Sequence, residues 1–168
     1  MPHLHVSVQA LDDKILSLMK RKYSAGYVVD ILQKVQREVC GVSLTADIIT
    51  GFPQEEEENF NNTLMNLEKI GFADLHVFPY SDREKTAALK LEGKVSPSLK
   101  KRRVGIIEKL NKEKFNDFRV KMINSEQRVY IEEIDENKAF GYTENYVKVF
   151  LPLKNEGEEF LNIQVGEI

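Results

Sequence analysis

With 168 residues, 42% of them hydrophobic, and a net charge of −3, the chain has the size and mix of a soluble globular protein. It can build one ordinary domain, or a small module joined to part of something larger. No apolar run approaches the roughly 18 residues that a membrane span needs, and no signal-peptide pattern is present, so a cytoplasmic protein with no membrane partner is expected. The single cysteine, Cys40, excludes an internal disulfide framework and any cysteine-only metal or cluster site built from this chain by itself. It reads as a small buried residue at a helix end.

Charge is segregated along the chain. Basic and acidic residues number 11 and 14 in residues 1–95, 9 and 3 in residues 96–122, and 4 and 10 in residues 123–168. A basic helix thus lies between two acidic parts, which is either a footprint for phosphate or a solvated helix face.

In chain order, His3 to Gln9 alternate apolar and polar residues, which predicts a strand with a polar face. Asp12 can cap a first helix bearing Ile15, Leu16 and Met19. Val28, Ile31, Leu32, Val35 and Val39 mark a second helix that starts near Ser24 and stops at Gly41. Strand-formers from Val42 to Thr50 then run into Gly51-Phe52-Pro53 and the acidic helix start Glu55 to Glu58, which is one βα unit. Gly51 would let a ligand approach the main chain closely. Asp47 sits among apolar neighbours near the strand end, where α/β folds place their chemistry; it is either functional or caps nearby backbone amides.

Phe60, Leu64, Leu67 and Ile70 line the next helix, which Gly71 closes, and Ala73 to Phe78 predict a third strand. Three strands alternating with helices suggest βαβ units in a parallel sheet with a bare edge. Ser96-Pro97 opens a long helix to about Met122, with Val104, Ile107, Leu110 and Phe118 inward and Lys100, Lys101, Arg102, Arg103, Lys109, Lys112 and Lys114 outward. Beyond it, Gln127–Ile134, Ala139–Tyr142, Tyr146–Leu151 and Leu161–Val165 read as short strands of a small antiparallel barrel.

The segments HLHVSVQ, MKRKY (Met19 to Tyr23), ADIITGFPQE (Ala46 to Glu55), HVFPYSDREKTAA (His76 to Ala88) and GYTENYVKV (Gly141 to Val149) occur in the order found in one enzyme family. Together they resemble the C-terminal part of the radical S-adenosylmethionine methylthiotransferases. The opening and the YTENY segment are most similar to the branch that acts on N6-threonylcarbamoyladenosine beside the tRNA anticodon. Other branches act on isopentenyladenosine in tRNA or on a ribosomal protein.

The resemblance implies an α/β plus small all-β architecture. Residues 1–95 would be the last βα units of a partial TIM barrel, 96–122 a connecting helix, and 123–168 an OB-like TRAM barrel that binds RNA. It implies S-adenosyl-L-methionine and two 4Fe–4S clusters in the intact enzyme, with an electron donor to reduce them. The cluster cysteines, including a C-x-x-x-C-x-x-C loop, have no counterpart here, so the chain alone is expected to be a fragment without turnover. In the intact family a deoxyadenosyl radical abstracts hydrogen from C2 of the adenine.

Carried onto this sequence, Ser7, Gln9, Arg21, Asp47, Ile49, Gly51, Phe52, Phe78 and Tyr80 match positions around S-adenosylmethionine. Arg21 suits its carboxylate through a charge-assisted pair. The alternative for Phe78 and Tyr80 is packing at the barrel rim. Ser81, Arg83, Lys100, Arg103, Tyr142, Asn145, Tyr146 and Lys148 would meet the tRNA anticodon loop, and no residue here is assigned to a metal. A purely RNA-binding role is the other reading. Two positions depart from the family pattern: Gln54 and Lys85 stand where glycine is usual, and Lys85 in particular removes a permissive turn residue.

Overall fold

The alternating patterns of the first half produce three parallel strands. The computed structural model describes residues 2–135, 138–152 and 160–164. In it β1 (His3–Gln9), β2 (Ser43–Thr50) and β3 (Asp74–Pro79) pair in the order β1-β2-β3. The helices α1 (Asp13–Leu18) and α2 (Ala25–Glu38) connect β1 to β2, and α3 (Glu57–Lys69) connects β2 to β3. Val8, Leu44, Ala46, Ile48 and Leu75 from the strands form one core with Ile15, Leu16, Val28, Leu32, Phe60 and Leu67 from the helices. The alternate strand positions, among them His5, Ser7, Asp47 and His76, face away from that core and keep contact with solvent.

Local chemistry sets the ends of these helices. Asp12 Oδ1 accepts from the Ile15 amide at 3.0 Å, and the two Asp12 oxygens also take Asn59 and Asn62 of α3, so one cap ties two helices together. Ser24 caps α2 and Ser96 caps α4 (Pro97–Met122) in the same way. Gly71 differs from expectation. It is not a left-handed helix stop; it lies where the Gln36 amide bonds its N–H and C=O, and a Cβ there would meet Gln36 Nε2. Cys40 is exposed rather than buried, because α2 ends at Glu38 and leaves it in the connecting turn.

The long helix α4 packs along β3 with polar side chains on its inner face. Lys100, Arg103, Ile107, Leu110, Asn111 and Lys114 recur at three- and four-residue spacing, and each meets the α/β unit. Lys100 Nζ donates to the Tyr80 carbonyl at 2.9 Å. Asn111 bonds the backbone of Leu75 and the carboxylate of Asp74, and Lys114 bonds the carbonyls of Ile70 and Glu68. Burial lowers the Lys114 pKa, an effect that Glu68 and Asp117 oppose.

Arg103 corrects the reading of an outward basic face. It is 1% exposed, donates to Glu55 Oε2 at 2.7 Å and to the Glu55 carbonyl at 2.9 Å, and lies over the Phe60 ring. Its fork also reaches Glu57 at 3.2 Å. A guanidinium so enclosed is not available to phosphate, and Lys100 is also largely committed.

The second half forms an antiparallel sheet of four strands, β4 (Glu126–Asp135), β5 (Lys138–Thr143), β6 (Lys148–Pro152) and β7 (Phe160–Gln164), in the order β6-β5-β4-β7. The predicted strands are present, with Val165 outside the described residues. The predicted closed barrel is not: among the described residues β6 and β7 are sheet edges and do not pair with each other.

Asn145, in the β5–β6 turn, is 2% exposed and donates to the Gly41 carbonyl at 3.1 Å while touching Met122. It joins the small sheet to the α/β unit, and so it is not the base-reading side chain that the sequence suggested. Removing one partner of a buried ion pair leaves the other charge desolvated. Arg103→Met is therefore expected to lower unfolding free energy by about 3–5 kcal/mol in urea titrations, and Glu55→Gln added to it to recover part of the loss. A loss below about 1 kcal/mol would show that the pair contributes little.

Candidate functional site

A cleft of about 730 Å³ opens at the C-terminal ends of the three parallel strands. That volume lies in the range of about 300–1,000 Å³ typical of small-molecule sites. Of the residues assigned to a cofactor, Gln9, Arg21, Asp47, Ile49, Phe52, Phe78 and Tyr80 line it, as do Ser81 and Arg83.

Local devices aim several of the lining residues. The β1–β2 register shifts between Val6 and Gln9, and the Ala10 amide bonds the Val8 carbonyl across Gln9, whose φ is +69°. This is a tight, strained turn that throws the Gln9 side chain out of the strand row. Arg21 is set by the end of α1. Lys20 at φ +58° stands in the left-handed position, its amide bonds Ser17 and the Arg21 amide bonds Leu16, the pattern of a Schellman cap with lysine in place of glycine. Phe52 is buried and meets the Tyr80 ring edge-on at 4.9 Å, giving the cleft an aromatic floor. Burial raises the Tyr80 pKa, and the charge of Asp82 adds to it.

Gly51 and Ser7 stand outside this lining. The Gly51 amide donates to Glu55 Oε2 at 2.6 Å, and a Cβ at Gly51 would collide with the Lys100 stem. The close approach that glycine permits is thus used by a side chain of α4, and φ at Gly51 is +76°. Glu55 is buried with its pKa raised by that burial, against the bonds from Gly51, Arg103 and Thr50. Ser7 donates to Asp47 at 3.4 Å.

Asp47 is neither isolated nor a backbone cap. His5 Nε2 lies 3.2 Å from its Oδ2 and His76 Nδ1 3.4 Å from its Oδ1. Partial burial acts to raise the Asp47 pKa, but the bonds and charge of the two imidazoles outweigh it and hold the carboxyl below its ordinary value. His76 was missed by sequence reasoning; only the Asp47–His76 register between β2 and β3 brings it in.

A second surface lies on the small sheet. Cross-strand register places Tyr130 opposite Tyr142, Tyr142 opposite Lys148, and Phe140 opposite Phe150 on one face. Lys148 Nζ sits 4.3 Å from the Phe140 ring centre and 5.6 Å from that of Phe150. Phe150 is 69% exposed. Tyr146, in the turn, stacks on His3 at 4.5 Å and approaches Tyr142 at 6.0 Å. Tyr130, Phe140 and Phe150 were not singled out by sequence, although their alternation with Tyr142 and Lys148 was there to find.

No protein-family model matches the chain. It is 35% identical over 152 residues to the threonylcarbamoyladenosine tRNA methylthiotransferase MtaB of Bacillus subtilis, a match covering 88% of this chain and 34% of that protein. It is 37% identical over 167 residues to the tRNA-2-methylthio-N(6)-dimethylallyladenosine synthase of Endomicrobium trichonymphae, covering 99% of this chain and 40% of that protein. The MtaB protein of Thermotoga maritima matches at 35% over 167 residues, 99% of this chain and 36% of that protein. Over most of its length the chain is thus homologous to tRNA methylthiotransferases, which belong to the radical S-adenosylmethionine methylthiotransferase family. It spans between 34% and 40% of the length of these curated relatives.

The two departures from the family glycines are both backbone strain. Phe52-Pro53-Gln54-Glu55 is a turn closed by the Glu55 amide on the Phe52 carbonyl, with Gln54 third at φ +66°. Arg83-Glu84-Lys85-Thr86 repeats the arrangement with Lys85 at φ +64°. The third place of such turns favours glycine. Both turns are closed, with a side chain where none is preferred. Gln54→Gly and Lys85→Gly should each raise unfolding free energy by about 1 kcal/mol in urea titrations, the left-handed cost exceeding the added chain entropy of glycine. A loss of stability in either would mean that the side chain makes contacts that outweigh the strain.

Proposed function

We propose that this chain supplies the cofactor cleft wall and the RNA-contacting sheet of a tRNA methylthiotransferase that adds a methylthio group to C2 of N6-threonylcarbamoyladenosine next to the anticodon. The observation that carries the reading is the cleft at the strand ends, lined by Gln9, Arg21, Phe52 and Tyr80, in a chain homologous to enzymes of that name.

S-adenosylmethionine fits the residues present. Arg21 offers a guanidinium for its carboxylate, Phe52 and Ile49 an apolar bed for its adenine, and Gln9 a polar group held out of the strand. When bound beside a reduced cluster, this cofactor supplies the radical chemistry that opens an unreactive C–H bond. The protein's part is to bind, orient and keep the site dry, which Phe52, Phe78 and Tyr80 do by walling one side. Iron–sulfur clusters do not fit this chain's own donors: its one cysteine, Cys40, is not among the residues lining the cleft. Thiolates from outside this chain would have to hold both clusters, and the chain on its own is inactive in this reading.

The tRNA anticodon loop is the partner, its unpaired bases stacking on Tyr142, Tyr146, Phe150 and the Lys148 pair. Because residues 123–168 are acidic, the phosphate contacts fall to exposed cations of α4 such as Lys101, Lys109 and Lys112, with Arg83 at the cleft mouth. The 37% match to a tRNA-2-methylthio-N(6)-dimethylallyladenosine synthase makes isopentenyladenosine the competing substrate.

Deleting the gene and analysing digested tRNA by mass spectrometry tests both. The methylthio group should vanish from threonylcarbamoyladenosine and remain on isopentenyladenosine. Loss from the latter alone reassigns the substrate, and no change in either nucleoside overturns the reading. For the RNA surface, Phe150→Ala together with Tyr146→Ala should weaken tRNA binding by the purified chain about tenfold or more at fixed salt, each base stack contributing about 1–3 kcal/mol. Unchanged filter binding would remove that surface.

A further inference from the structure

The polar face of the parallel sheet brings Asp47, which lines the cleft, together with two imidazoles that the cofactor reading does not use. His5 on β1, Asp47 on β2 and His76 on β3 each present a ligand atom, and these atoms lie within 4.8 Å of one another. We propose that His5, Asp47 and His76 form a binding site for one divalent transition-metal ion of the zinc type.

Geometry supports it first. An ion about 2.0–2.2 Å from each donor sets neighbouring donors roughly 3.4 Å apart in a tetrahedral site. His5 Nε2 lies 3.2 Å from Asp47 Oδ2 and His76 Nδ1 3.4 Å from Asp47 Oδ1, so each imidazole already meets its own carboxylate oxygen at this length, and an ion between them would be held by both oxygens or by one after a small turn of the carboxylate. The remaining edge lies between the imidazoles, whose ring centres are 5.4 Å apart, and a rotation of the half-exposed His76 ring would close it.

The groups behind the ligands support it independently. A metal-bound imidazole usually gives its other N–H to an oxygen that fixes the tautomer. His5 Nδ1 is 2.9 Å from Thr45 Oγ1, so the nitrogen remote from Asp47 has such a partner. His76 Nε2 faces Asp74 Oδ2 at 3.7 Å, a carboxylate behind the imidazole. The Ser7 hydroxyl touches Asp47 itself. Two imidazoles and one carboxylate leave a coordination position open. His3, on the same strand face, is turned to Ser43 and Tyr146 and does not join the set.

Cobalt(II) titration of the purified full chain at neutral pH tests this, because cobalt in a low-coordinate site absorbs visible light and zinc displaces it. The expected result is a saturable visible band at one ion per chain, abolished by equimolar zinc. His76→Gln and His5→Gln should each weaken binding at least about 100-fold, whereas Thr45→Val, acting through His5, should weaken it about 10–100-fold without moving the band. His3→Gln and Cys40→Ser should leave affinity unchanged. The half-exposed His76 can be replaced without disturbing the core, and an unaltered thermal melt of the metal-free variant checks that. Absence of a stoichiometric band, equal loss in His3→Gln, or dependence on Cys40 would overturn the site.

Discussion

The buried pair of Arg103 and Glu55 is the constraint on which the rest of the molecule turns. One carboxylate oxygen collects the Gly51 amide, the Thr50 hydroxyl and the Arg103 guanidinium, so the end of β2, the turn after it and the helix α4 share a single acceptor. Such a pair is costly to desolvate and is retained here with most of its hydrogen bonds made. By fixing the turn, it places Phe52 under the cleft. By fixing α4, it brings Lys100 across Gly51 to the Tyr80 carbonyl at the end of β3.

Backbone strain gathers around the same opening. Gln9, Lys20, Gln54 and Lys85 all have positive φ without being glycine, and they lie beside or within the elements that frame the cleft. Residues held this way persist when surrounding bonds over-determine them. Here those bonds are visible: a Schellman cap at Lys20, a three-residue turn at Gln9 and closed four-residue turns at Gln54 and Lys85. The strain sets side-chain direction, which is why Arg21 can face a cavity from the end of a six-residue helix.

The basic segment illustrates how charge is divided between structure and surface. Arg103 is fully buried, Lys100 and Lys114 hold carbonyls at element ends, and the exposed remainder is left to meet solvent or a polyanion. The small sheet pairs this with an exposed aromatic face and a buried residue, Asn145, that anchors it to the turn after α2.

What the amino-acid order determined by itself was the local grammar: alternation gave the strands, three- and four-residue spacing gave the helices, and Asp12, Ser24 and Ser96 announced their starts. The family likeness of Arg21, Asp47, Phe52 and Tyr80 was also legible, since those motifs are contiguous. Periodicity misjudged Arg103 because a charged residue on an inward stripe looks the same as one on an outward stripe until its counter-ion, 48 positions away, is in place. Asn145 and Cys40 were misplaced for the same reason, burial being a property of what packs against a residue. Only the tertiary structure could join His5, Asp47 and His76, because parallel register brings together side chains that no spacing in the sequence relates.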